Sequence, residues 1–402
     1  MIDRALRITR RHYWSAAHVA PRDLGPEEAR RELGLLMDVA MHEHMRSDVP
    51  FGLFLSGGVD SAVLAAMLHE LGSGPIRSFS VGFRDTTLAD ELDEAGRIAT
   101  HFGFDHTRLR LDLGRVFGRI PHTIWAADEL MRDYACLPTS ILAEAAGGHL
   151  KVVFSGEGGD EVFAGYRRYC PRLPERRLKG LLSPGSGGFR TRGQWSGHWR
   201  RRLFGHELST LGRVEREPVL RAWRESPPAW SNLQRRQYVD LVTALPDNLL
   251  VKTDRMLMGF GVEGRVPFLD HRIVEFGLSL PDGLKVRGHR GKWLLKQWAE
   301  PRLPAGHLAR PKRGFHVPVG DWLQGDLLLR LGDRLVRNCG IRDWFETAAV
   351  GELIDAGRAG RGVTREIWGL MQFAIWHRLF IEQPGLKPSP DEDPLEWVAS
   401  SP

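Results

Sequence analysis

Phe51-Gly52-Leu53-Phe54-Leu55-Ser56-Gly57-Gly58-Val59-Asp60-Ser61-Ala62-Val63-Leu64 is the stretch on which the reading of this chain turns. An apolar run suited to a buried parallel strand stops at Ser56, and an apolar helical pattern follows directly after the turn. The junction therefore reads as strand, glycine turn and helix start. Gly57 and Gly58 permit backbone conformations and close approaches that a Cβ would hinder. Amides at the helix start and the hydroxyls of Ser56 and Ser61 offer donors to an anion, and a phosphate would fit there. Asp60 would repel that phosphate unless a divalent cation stood between them, which points to Mg²⁺. Capping by Ser and Asp explains the same residues without any ligand, so the stretch alone leaves both readings open.

Working outward, Leu33, Leu36, Met37 and Ala40 lie at helical spacing within 26–46, so an amphipathic helix leads into the strand. Beyond the turn, Val63, Leu64, Met67, Leu68 and Leu71 form one apolar helical face. Phe79, Val81 and Phe83 alternate as a second strand, helical spacing returns at 88–102, and 106–111 reads as a third short strand. Further helices are predicted over 116–127 and 140–146, before a strand at Val152–Phe154. Strands alternating with helices imply βαβ units, a parallel sheet and ligands at the carboxyl ends of the strands.

That last strand enters Ser155-Gly156-Glu157-Gly158-Gly159-Asp160-Glu161, a second Ser-Gly turn carrying three carboxylates. On a parallel sheet both turns open on the same edge. Asp60 and Asp160 could then share Mg²⁺ bound to pyrophosphate, leaving Glu157 for proton handling. Without a cation their charges would repel at a cost.

The 402 residues, 42% hydrophobic and 26% charged, suit a globular chain of two packed regions. Neither a 20-residue apolar stretch nor a leader at Met1 is found, so a cytoplasmic location is the expectation and a membrane role is not. Cys136, Cys170 and Cys339 are widely spaced and form no CxxC pattern, so they read as packing residues in a reducing compartment. A net charge of +6 raises the question of nucleic acid. Arginines crowd between 167 and 236 around LLSPGSGGFRTRGQWSGHWRRRLFG, which reads as an exposed, partly flexible insertion serving as a solvated surface or partner face more readily than a nucleic-acid site. Gly259-Phe260-Gly261-Val262-Glu263-Gly264 satisfies GxGxxG, but no strand pattern precedes it and no helix opens after it, so a dinucleotide site is not expected.

SDVPFGLFLSGGVDSA, FSGEGGDEVFAGYRRY, TDRMLMGFGVEGRVPFLDHRIVEF, KWLLK and RPKRGF, spread from Arg46 to Phe315, together resemble the asparagine synthetase family, specifically its ATP-dependent synthetase domain of the PP-loop ATP pyrophosphatase type. The resemblance implies an α/β fold: a five-stranded parallel Rossmann-like sheet flanked by helices, with a mainly helical C-terminal lobe. The expected division is a lead-in over 1–25, a PP-loop core over 26–170, the Arg/Gly/Trp-rich insertion over 171–237, the helical lobe over 238–385 and a flexible tail over 386–402.

The resemblance further implies that a substrate carboxylate attacks the α-phosphate of ATP, giving an acyl-adenylate, and that an amine then displaces AMP. Ser56, Gly57, Gly58, Asp60 and Ser61 match the pyrophosphate-binding loop, with Ser155 and Gly156 in the second loop and Asp60 and Asp160 on Mg²⁺. Glu157 matches the base toward the amine and Lys312 the catalytic lysine. A fixed ammonium beside the α-phosphate would stabilise the charge developing there. Only eight of the 56 basic residues are lysines, which gives a lysine at 312 some independent weight. Asp254/Arg255 and Glu263/Arg265 are expected to form buried structural pairs, and Lys292 and Lys296 to be either surface or phosphate-facing.

The family's glutamine-dependent members begin with a glutaminase domain whose N-terminal cysteine has no counterpart at Ile2. The expected nitrogen donor is free ammonia, a separate glutaminase subunit or an amine on the substrate, and self-association is open. Aspartate is the leading carboxylic acid. The alternatives are amide-forming or cyclising ligases resembling β-lactam synthetases and lasso-peptide cyclases, a tRNA-modifying PP-loop enzyme, and a non-catalytic partner subunit.

Overall fold

The structure, a computed structural model, describes residues 6–9, 12–72, 74–83, 92–170, 193–211, 216–309 and 317–399. Five strands form one parallel sheet: β1 (Phe51–Phe54), β2 (Arg77–Phe83), β3 (Asp105–Leu111), β4 (Val152–Phe154) and β5 (Glu263–Arg265), in the order β3-β2-β1-β4-β5. β1 is central because its side chains are apolar on both faces, while β3, DHTRLRL, alternates charge outward and takes an edge. Gly52 of β1 pairs with Arg77 on one side and Val153 on the other. The order reverses between β1 and β4, so the turns leaving these two neighbours flank the topological switch point, where doubly wound sheets bind ligands.

Successive residues of β4 feed two cores. Val153 joins Phe79, Val81, Ile141 and Leu257 on one face, while Phe154 joins Leu53, Leu64, Met67 and Phe276 on the other. The helix Val59–Glu70 buries Ser61 to Leu68 without a break, so it has no solvent face along that run, where the sequence predicted a single apolar face. A helix apolar all round is one held in a core, and each large side chain there contributes roughly 1.5–3 kcal/mol of burial. The helix predicted over 116–127 is two, Leu113–Gly118 and Ile120–Ala127, with Pro121 in the first turn of the second.

The C-terminal lobe is helical, as expected, and packs Leu331, Leu353, Trp368 and Ile375 into the same cluster as one sheet face. The last helix among the described residues, Pro394–Val398, corrects the flexible tail expected over 386–402: Leu395 and Val398 are fully buried. Residues 171–192 and 212–215 of the Arg-rich span lie outside the described residues. Several apolar residues in the rest of that span are packed: Leu203 is buried, Trp195 meets Phe345 at 5.8 Å, and Trp223 and Trp230 enter the second core. The fifth strand, Glu263–Arg265, begins inside the GxGxxG match, and the helix Val251–Met258 precedes it, so that match is not the strand-to-helix turn a dinucleotide fingerprint needs. No helix among the described residues is long and apolar enough to cross a membrane.

Candidate active site

The first Ser-Gly turn is closed by its own hydroxyls. The Ser56 amide donates to Ser61 Oγ at 3.1 Å, Ser61 Oγ lies 3.0 Å from the Ser56 carbonyl, and the Gly58 amide donates to Ser56 Oγ at 3.1 Å. Gly58 caps the helix in extended backbone at φ −86°, with Asp60 in the first helical turn. The second turn, after β4, is tied to the sheet by the Ser155 amide, which donates to the Arg265 carbonyl at 2.8 Å. The two turns touch: a Cβ on Gly156 would lie 2.9 Å from Asp60 Cβ, and one on Gly159 would lie 2.5 Å from Asp60 Oδ1. Glycine is needed here for close approach, since the turns could not meet with side chains between them.

That contact brings Asp60 and Asp160 to one point, occupied by the ammonium of Lys292. Lys292 Nζ pairs with Asp60 Oδ2 and lies 2.6 Å from Asp160 Oδ1, and the residue is 3% exposed. Burial alone would lower its pKa, but the two carboxylates outweigh it and hold the group above the ordinary lysine value. The two converging carboxylates are hard oxygen donors of the kind Mg²⁺ takes when phosphate oxygens complete the shell, so these residues fit the ion. The sequence left Lys292 open between surface and phosphate; the fold puts it inside the acid pair.

Glu157 sits beside this cluster in a separate pocket. Its Oε1 accepts from Thr253 Oγ1 and lies 3.6 Å from Lys252 Nζ, which also reaches Asp133 Oδ2 at 3.2 Å. Its Oε2 is buried and has no hydrogen-bond partner among the described residues, so one carboxylate oxygen is left for a ligand. Burial works against the Lys252 charge, but Glu157 and Asp133 outweigh it and raise its pKa. Glu161, next along, faces the core: its Oε1 accepts from Tyr166 Oη at 2.7 Å, and burial pushes its pKa up to about 7 against that hydrogen bond.

Ser56, Gly57, Gly58, Asp60 and Ser61 of the first turn and Ser155, Gly156, Glu157 and Asp160 of the second lie on these two adjoining turns. Lys312 lies outside the described residues. The expected buried pairs are corrected. Asp254 and Arg255 are both exposed, and Glu263 is a half-exposed partner of Arg265 at 2.7 Å. On the helix Val251–Met258 the inward residues are Lys252, Thr253, Met256 and Leu257. A signal for them existed: Met256 and Leu257 are the apolar pair, and one helical turn back from them stand 252 and 253. Lys292 had a signal too, because the scarcity of lysine that favoured 312 applies to it equally.

Residues 32–378 match the family model described as asparagine synthase. A putative glutamine-hydrolysing asparagine synthetase of Mycobacterium tuberculosis is 32% identical over 87% of this chain and 58% of its own length. Asparagine synthetase 1 of Bacillus subtilis is 29% identical, over 89% of this chain and 61% of its own. A Penicillium rubens protein named as an amidase is 25% identical over 95% of this chain and 66% of its own. The chain spans about three fifths of the length of the two synthetases it matches. With the family match running from the helix before β1 to the end of the long helix Thr364–His377, the chain belongs to the asparagine synthase family.

Proposed function

We propose that this chain is an ATP-dependent amide ligase that adenylates a substrate carboxylate, with aspartate as the leading acid and asparagine as the product. The observation that carries the reading is the convergence of Asp60, Asp160 and Lys292 between two glycine turns at the sheet's switch point, with Glu157 held apart beside them. The substrate carboxylate oxygen attacks the α-phosphorus of ATP and pyrophosphate leaves. An amine then adds to the acyl carbon, AMP leaves, and the proton lost by the amine passes to Glu157.

Each group has a part that its surroundings support. Helix-start amides after Gly58, together with Ser56 and Ser61, present donors to the pyrophosphate. Asp60 and Asp160 would hold Mg²⁺, which supplies charge neutralisation for the departing pyrophosphate. Lys292 keeps the acid pair together before nucleotide arrives and stands beside the pyrophosphate once it does. Thr253 and Lys252 hold Glu157 by Oε1, which leaves Oε2 to accept the proton of the incoming amine. Lys312 is proposed to stabilise charge on the α-phosphate.

Free ammonia, ammonia from a separate glutaminase subunit, and a substrate amine all suit this chemistry as nitrogen source. The second reading is an amide-forming or ring-closing ligase on a natural-product or peptide acid. The relative named as an amidase supports extending the substrate search that far. ATP–pyrophosphate exchange across a panel of acids separates the readings. Exchange stimulated by aspartate alone supports asparagine synthesis, and exchange with a larger acid supports the second reading. Exchange that requires tRNA, or none with any acid, removes both.

A further inference from the structure

A second cluster lies in the C-terminal lobe and shares no residue with the ATP site. Cys339 opens the short helix Cys339–Trp344, His377 ends the helix Thr364–His377, and Glu382 ends the π-helical turn Arg378–Glu382. Cys339 Sγ lies 2.9 Å and His377 Nδ1 2.7 Å from the same oxygen, Glu382 Oε1. Among the described residues, no other trio of His, Cys, Asp or Glu converges this tightly.

The backbone is shaped to make the trio. His377 and Glu382 are five residues apart. On a regular α-helix, at about 100° per residue, that spacing turns them to sides about 140° apart. The wider π turn, with i to i+5 closure, returns the fifth residue to the face of the first, and such turns occur frequently at functional sites. The His377 ring is held firmly: a Cβ on Gly340 would lie 2.6 Å from it, so the helix beginning at Cys339 packs directly against the imidazole. Cys339 and Glu382 are partly exposed while His377 is buried, which leaves one side of the cluster open to solvent.

We propose that Cys339, His377 and Glu382 form a Zn²⁺ site, with water as fourth ligand, that pins these two helices of the lobe together. Thiolate, imidazole and carboxylate in one place suit a borderline-soft ion and not Mg²⁺ or Ca²⁺. Tetrahedral bonds of about 2.0–2.3 Å would spread the three ligand atoms by roughly half an ångström from their hydrogen-bonded positions. Binding releases the Cys339 thiol proton, and the neutral imidazole carries its proton on Nε2 while Nδ1 ligates. Glu382 is already held below the usual glutamate range: burial would raise it, but the contacts from Cys339, His377 and Arg378 outweigh that.

Zn²⁺ alone, titrated into the chelator-treated full chain against a chromophoric competitor, is expected to fill one tight site. Cys339→Ser and Glu382→Gln should each weaken it at least tenfold, and calorimetry in buffers of different ionisation enthalpy should read about one proton released. Co²⁺ in place of Zn²⁺ should give thiolate-to-metal charge-transfer absorption in the unmodified chain, a readout that needs no variant to fold. Absence of that band, or Zn²⁺ uptake undiminished in Cys339→Ser, overturns the site and leaves a hydrogen-bonded triad.

Discussion

The two Ser-Gly turns are written in nearly the same residues and are held in opposite ways. Ser56–Ser61 is knotted by its own hydroxyls and runs into a 12-residue helix. Ser155–Glu161 is shaped by distant residues: Gly158 stands in left-handed backbone at φ +89°, its helix lasts four residues, and Thr253 and Lys252 hold Glu157, while Lys292 joins the acids of both turns. A locally closed turn suits a phosphate, which asks for amides in fixed array. A turn held by tertiary contacts suits proton chemistry, where each carboxylate needs its own environment.

The contrast breaks most visibly at Glu157. Glu157→Gln is expected to slow amide formation by roughly 10²–10⁴-fold while ATP–pyrophosphate exchange stays within a few fold. Equal loss of both rates would place Glu157 with the phosphates and erase the division between the turns.

Lys292→Met tests what joins them. Leaving Asp60 and Asp160 face to face without their cation should cost about 3–5 kcal/mol, read as a lower urea midpoint without nucleotide. An unchanged midpoint would show that the acids do not depend on this lysine.

Next comes a pH effect confined to the second turn. Burial raises the Glu161 pKa from 4.5 to about 7, so between those values the folded chain binds the proton that the unfolded chain has lost. The stabilisation is complete below pH 4.5 and disappears as pH rises through 7. Glu161→Gln keeps an acceptor for Tyr166 and should remove that slope. At pH 8 the variant should exceed the parent by up to about 3 kcal/mol, with little gain at pH 5. Parallel stability profiles for the two proteins would refute a titrating Glu161.

The smallest effect compares the turns directly. Gly158→Ala forces a Cβ into left-handed backbone and within 2.3 Å of Leu269, for a loss of about 1–3 kcal/mol or more. Gly58→Ala meets only Ser56 Oγ at 3.2 Å and should cost up to about 1 kcal/mol, as a weaker N-cap. Equal melting points for the two variants would contradict the contrast.

Much of this site was legible because its parts are local. A strand that stops at a serine, a pair of glycines and an acid one turn into a helix are neighbours in sequence, and their periods state their conformations. The lysines that serve the acids were not legible in the same way. Lys292 is 232 residues from Asp60, and Lys252 is 119 from Asp133. Only helical phase and lysine scarcity hinted at either.

Sequence alone settled the alternation of strand and helix, the two acid-bearing turns and the resemblance that combined them, since each rests on short-range periodicity and fixed spacing. Tertiary structure decided that β1 and β4 lie side by side, that Lys292 rather than solvent faces Asp60 and Asp160, and that Thr253 and Lys252 hold one oxygen of Glu157. The reason is physical: a buried charge must find its counter-charge through space, and the distance that sets its energy has no fixed relation to separation along the chain.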